Sequence, residues 1–418
     1  MTSVSRSLLY SASRALLLAV LLTGASACVT HETKPAPIIN AKKATAPIPD
    51  AQLLDVSVQL FDANIPENEK QREKQGIYSE VRKAEARFIP MKLRDTLERT
   101  GQWGQVRVVP EGAESVDVFV KGKILESTGM RLQLDIDVAD ATGRPWLHKV
   151  YEGMADTRAY KDTSGKARDP FQNVYSNIAN DMLQLRQNLT AEDREAIHRV
   201  ADLRFASDLA PYAFKEYLHA DKHGQFQVVR LPAQDDAVYE RMERLRDRDY
   251  ALVDTLNEHY SVFAGNMNDS YNSWRKYSYS EIEAMEETKR SALNRKLLGA
   301  AAILGGLVAG TQSNTYVGEV AGTAAVFGGI YAMKSGFDKG AEVKMHRDSL
   351  KQLSESFQAE VQPMVVDVEG RTLQLKGSAE EQYQQWRQLL KQLYENETGM
   401  PVQEAKPVEQ RHAETRPQ

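Results

Sequence analysis

Leu53-Leu-Asp-Val-Ser-Val-Gln-Leu-Phe61 alternates apolar and polar residues, the period-2 mark of a half-buried strand. Val81 to Leu97 changes period. Val81, Ala84, Phe88, Met91 and Leu93 sit at mostly helical spacing, Pro90 should kink the helix, and Gly101 stops it. Four strand candidates follow: Val106 to Val109, Val116 to Leu125, Arg131 to Val138 and Trp146 to Tyr151. Ser127-Thr-Gly129 and Asp140-Ala-Thr-Gly143 supply turns between them. Strand, helix, then strands predicts an α+β domain over residues 51–160, with a helix covering one face of a small mixed or antiparallel sheet.

Two helices are expected within residues 169–232. Thr190-Ala-Glu-Asp193 opens the second with a capping box, Pro211 interrupts it near its end, and Gln225 to Leu231 reads as a short strand. A long polar helix should run from Asp235 to about Arg295, with Val238, Met242, Leu245, Leu252 and Leu256 on one stripe. The stripe needs a covering element. Ala341 to Val361, with Val343, Leu350, Leu353 and Phe357 at helical spacing, could pair with it as an antiparallel, coiled-coil-like stalk over residues 235–360. Residues 361–398 read as a strand-strand-helix unit, and the polar, Pro-containing residues 399–418 as a disordered tail.

The segment 297–333 is glycine-rich and apolar, with Glu319 its one charged residue. Gly299, Gly305, Gly306 and Gly310 fall on one arm; Gly318, Gly322, Gly328 and Gly329 fall on the other, across a polar turn at residues 311–315. Each glycine costs a water-exposed helix about 1 kcal/mol, so the segment has to recover that through close helix contact or lipid. Arms of about 21 and 27 Å fall short of a hydrocarbon core of about 30 Å. Three readings stay open: a buried hairpin at the stalk tip, self-association through the glycine faces, or insertion into a thin membrane with Lys289, Arg290, Arg295 and Lys296 at the head groups. Tyr271, Trp274, Tyr277 and Tyr279, just before the hairpin, suit a packed junction better than a membrane interface.

At the other end of the chain, Arg6 and Arg14 precede the apolar run Ala15 to Leu22, then Gly24-Ala-Ser-Ala27 and Cys28. Basic flank, short apolar centre and small-residue exit predict a signal peptide over residues 1–27. Ala25-Ser-Ala-Cys28 resembles the lipobox of bacterial lipoproteins, with Ala25 where that family usually has Leu; a plain secretory cut is the alternative. The resemblance implies acylation of Cys28 by diacylglycerol and palmitate-type chains, and Val29 after it implies sorting to the outer membrane, facing the periplasm. Cys28 is the single cysteine, so no internal disulfide is available to an exported chain. The Pro- and Ala-rich residues 28–50 read as a tether.

The element order, together with Gln102-Trp-Gly-Gln-Val-Arg-Val-Val109 leading into a second strand, resembles the small domain of the TolB amino-terminal region and of the curli-secretion lipoproteins. That resemblance covers about a quarter of the chain and implies a fold, with no motif residues to carry over.

Net charge is -5 with no cluster of basic residues, which argues against nucleic acid as a partner. No nucleophile elbow, phosphate loop or His-Glu-x-x-His motif is present, so no catalytic residue and no cofactor is assigned. His219 and His223 have the spacing of two metal ligands on a helix face but lack a third, and the expectation is no metal. Asp135 and Asp137 alternate with Leu134, Ile136 and Val138 and read as a solvated strand face. The composition therefore favours a non-enzymatic lipoprotein that scaffolds or assembles in the envelope, as a homo-oligomer or with an envelope protein. A pore or secretion-type oligomer whose hairpin enters the membrane is the alternative, and an accessory subunit or activator of a periplasmic enzyme the second.

Overall fold

The alternating residues form β1 (Val56–Gln59) in the computed structural model, which describes residues 37–110, 116–162, 168–233, 235–308, 364–368 and 371–399. After β1 come α1 (Glu69–Gln75), α2 (Ser79–Glu98), β2 (Val106–Val109), β3 (Val118–Ser127), β4 (Arg131–Asp140), β5 (Pro145–Met154) and α3 (Thr157–Lys161). The strands make one mixed sheet in the order β2-β1-β3-β4-β5, with β1 parallel to both neighbours and β3, β4 and β5 antiparallel. The fold is α+β, as the element order predicts. Leu132, Leu134, Ile136 and Val138 of β4 point into the core, whereas Asp137 on the opposite face is exposed.

Pro90 lies inside α2 without ending it. A proline has no N–H for the carbonyl four residues back. That carbonyl, on Ala86, accepts instead from the Phe61 amide at 3.0 Å, so the bond missing from the helix is replaced by one that ties it to the end of β1.

α4 (Gln172–Gln187) and α5 (Ala191–Leu209) are the two expected helices. Thr190 and Asp193 form the predicted capping box, and Asp193 also takes an ion pair from Arg144 at 3.1 Å. After Pro211 the chain makes a single turn of helix, α6 (Pro211–Phe214), then a small hairpin of β6 (Leu218–Ala220) and β7 (Phe226–Val228). His219 therefore stands on a strand, and His223 in the turn after it. The helical spacing that would have brought the two imidazoles together does not exist.

α7 (Ala237–Val308) is a single helix of 72 residues, about 108 Å long. It is followed among the described residues by β8 (Met364–Val368), β9 (Arg371–Leu375) and α8 (Ala379–Thr398), the expected strand-strand-helix unit. A second capping box, Ser378 with Glu381, starts α8, and Gly399 at φ 66° ends it. The proposed stalk partner 341–361 and the tail from 400 lie outside the described residues.

The tether ends earlier than its composition suggests. The amides of Ile39 and Lys42 donate to the side-chain oxygens of Asn173 and Asn180 at 2.9 and 2.8 Å, and the Ala44 amide to the Thr100 carbonyl at 2.7 Å. Asn180 donates in turn to the Asn40 carbonyl. Asparagines two helical turns apart on α4 thus satisfy an extended strip that has no described sheet partner, and the body begins at Ile38.

Candidate functional site

The stripe foreseen on α7 is longer than five residues. Met242, Leu245, Leu252, Leu256, Tyr260, Phe263, Met267, Tyr271 and Trp274 are all buried, at steps of three or four with one gap of seven. It is covered by the sheet domain, by α5 and by α8. The gap is filled by a polar residue, and three more polar residues share the buried face: Asp249, Asn257, Arg275 and Ser278.

Each of the four has a partner at a different place on the body. Asp249 accepts from the Trp386 indole at 3.1 Å and faces Arg387 at 3.5 Å, so it fastens α7 to α8. Burial pushes its carboxyl pKa up, and Arg387 opposes the shift. Asn257 accepts from the Val108 amide at 2.7 Å and donates to the Val108 carbonyl at 3.0 Å, so one side chain takes the place of a neighbouring strand on β2. Arg275, 1% exposed, pairs with Asp169 at 3.0 Å and lies over the Tyr271 ring at 4.4 Å. Ser278 accepts from the Gly129 amide at 3.2 Å in the β3–β4 turn.

Gly129 is required there. A Cβ at that position would overlap the carbonyl of Arg275 and the amide of Tyr279, so the sheet turn and the helix backbone meet directly. Below this contact the Glu85 carboxylate, 1% exposed, accepts from Ser127 and from the Tyr271 hydroxyl, both at 2.7 Å, and pairs with Arg82 at 3.1 Å. Burial raises its pKa, with Arg82 foremost among the groups that oppose it. Tyr271 and Trp274 stack at 5.8 Å. Tyr271 and Trp274 are thus core packing at the junction, whereas Tyr277 and Tyr279 are half-buried.

The α7 contacts with the body named above fall between Met242 and Ser278. From residue 280 to Val308 the helix continues for about 44 Å. Of the singled-out glycines, Gly299, Gly305 and Gly306 lie on this last part of α7. Gly310, Gly318, Gly322, Gly328 and Gly329 lie outside the described residues, as does Cys28. No helix among the described residues is long and apolar enough to cross a membrane.

Two further clusters carry titratable groups. Val56, Ser57, Arg107, Val109, Asp249, Tyr250 and Tyr383 are among the residues lining a cleft of about 30 Å³, room for a water or two and far below the hundreds of Å³ that a metabolite fills. Beside it the Asp117 carboxylate holds His198 Nδ1 at 3.0 Å and accepts from the Asp55 amide at 2.8 Å, while Arg107 pairs with Asp254 at 2.6 Å. The bond to Asp117 raises the pKa of His198, and burial raises that of Asp55. These groups tie the starts of β1 and β3 to β2, α5 and α7, with Asp55 also accepting from the Gln105 amide at 2.7 Å and Arg107 lying over the Tyr250 ring at 4.7 Å. Among the described residues no group of three His, Cys, Asp or Glu is placed to hold a metal ion.

Sequence reasoning found the stripe and missed its polar members. Their signal is legible afterwards: a polar residue in register with buried apolar ones has to have a partner. No family model, no curated protein and no solved structure matches the chain.

Proposed function

We propose that the chain is a non-enzymatic lipoprotein of the outer membrane, anchored through Cys28 on the periplasmic side, whose body holds out a helical arm for assembly. The observation that carries this reading is the division of α7. Its first part is fixed to the body through four polar contacts set in an apolar stripe, and its last part continues as helix into the glycine-rich segment. A helix whose base is fixed at Asp249, Asn257, Arg275 and Ser278 holds its far end in a defined direction. Gly299, Gly305 and Gly306 then offer a smooth surface to a second helix at that end.

Light scattering on the full chain tests the assembly role. The expected result is an oligomer whose size Gly306→Leu with Gly322→Leu reduces; a monomer, or an oligomer indifferent to both substitutions, overturns it. The pore-type alternative predicts that the Cys28→Ala chain stays with membranes through alkaline carbonate extraction. Release into the supernatant supports the scaffold instead.

A further inference from the structure

The geometry points to a second copy of this chain as the strand that completes the open edge of β5, paired antiparallel about Val150. This contact is separate from the glycine segment and goes beyond the assembly role given above. β5 is ten residues long and ends the sheet, with no other described strand beside it. Ala155 donates to the Met130 carbonyl, so the odd-numbered residues at this end turn their backbone groups toward β4. By alternation, and with no register shift between residues 147 and 154, His148, Val150 and Glu152 turn theirs outward.

An edge of this length is ordinarily guarded. The guard is weak here. Lys149, the residue suited to the task, is drawn down onto Asp181 at 2.7 Å, and Pro145 blocks just the first position. Val150 and Met154, 45% and 52% exposed, are both exposed large apolar side chains.

The occupant is identified by charge. Pairing about Val150 sets His148 opposite Glu152 of the second copy, twice by symmetry. Within one chain, His148 already contacts Asp137 at 2.6 Å, Asp137 stands opposite Lys121 of β3, and Glu152 takes Arg131 at 2.7 Å. Joined across the two-fold axis, each row reads Lys121, Asp137, His148, then the second copy's Glu152 and Arg131, with the sign alternating at each step while His148 is protonated. Its bond to Asp137 favours that form. Opposite charges on facing strands are stabilising and like charges are not. A register one pair away would break the row. On the other face Lys149 would meet the second copy's Tyr151, a ring it already covers within its own chain at 4.8 Å.

The two-fold axis makes the test specific. Facing Cα atoms of a backbone-bonded pair lie about 5.5 Å apart, within reach of a disulfide. Full chain carrying Val150→Cys is oxidised mildly beside the parent, which controls for Cys28, and beside Met154→Cys, a position that does not face itself in this register. The expected result is a covalent dimer from Val150→Cys, its loss on adding Glu152→Lys, and no dimer above the parent from Met154→Cys. Circular dichroism confirms that each variant is folded. Equal cross-linking at both positions, or none at Val150→Cys in folded protein, overturns the proposal. Adding Gly306→Leu to Val150→Cys should leave the cross-link unchanged, so the edge contact and the glycine contact fail or survive separately.

Discussion

The two edges of the sheet are handled in opposite ways. β2 is four residues long, and Asn257 of α7 occupies the amide and carbonyl of Val108 as a neighbouring strand would. β5 is ten residues long and has no described strand or side chain of that kind on its outer side. The difference lies in where the long helix was fixed. Ser57 and Gln59 are buried although alternation alone predicts a half-exposed strand, and Ser57 lines a cleft with Asp249, Tyr250 and Val253 of α7. One element thus closes the β2 end on its face and its edge, and the β5 end is left for a partner.

Removing the closure at its strongest point should have the largest effect. Arg275→Ala leaves Asp169 buried without its counter-charge, and urea unfolding should show a loss of about 3–5 kcal/mol. Arg275→Met with Asp169→Leu, which removes both charges, should cost clearly less. Asn257→Leu keeps the stripe apolar but strands both backbone groups of Val108. A loss of about 1–3 kcal/mol is expected, with faster amide exchange at Val108 than elsewhere in the sheet. Gly129→Ala forces α7 away from the β3–β4 turn and should cost a similar amount, about 1–3 kcal/mol by thermal unfolding.

At the open edge the same measurement should barely move. Val150→Thr is expected to change unfolding free energy by less than about 0.5 kcal/mol, the range of ordinary surface substitutions, while weakening cross-linking between neighbouring positions. The smallest effect is on pH. Asp137, and behind it Asp135, raise the pKa of His148 above its ordinary value of 6.5. Stability from that pair is therefore fully present below 6.5 and lost as pH rises through the raised value. Dimer formation should weaken over the same upward range, because a neutral His148 no longer answers the Glu152 opposite it. A dimer that strengthens with rising pH would contradict the register.

Much of the fold was legible because period reports burial. Leu134, Ile136 and Val138 against Asp135 and Asp137, and the α7 positions from Met242 to Leu256, were assigned to the correct faces by spacing alone. The capping box at Thr190 was equally local. Three things were not legible, and each depends on a distant residue. Residues 38–49 read as a tether because their docking depends on Asn173 and Asn180, side chains more than 130 positions away. His219 and His223 changed role because a short hairpin replaced the end of a helix. Asp249, Asn257, Arg275 and Ser278 were hidden because a polar residue in a long charged helix is ordinarily on its wet side, and no local pattern announces a partner such as the Val108 backbone.

The docked strip at Ile38–Pro49 has a further consequence if Cys28 is the point of attachment. Nine residues, 29–37, then separate Cys28 in sequence from the body, which bounds the span at about 30 Å of fully extended chain. Bodies anchored in one leaflet are confined to a layer not much thicker than themselves, and confinement raises the effective concentration of one β5 edge for another, as a short linker does for two tethered modules. A β5 contact only partly occupied in dilute solution would then be filled at the membrane surface. Lipidation, in that setting, acts as a switch on association as well as an address.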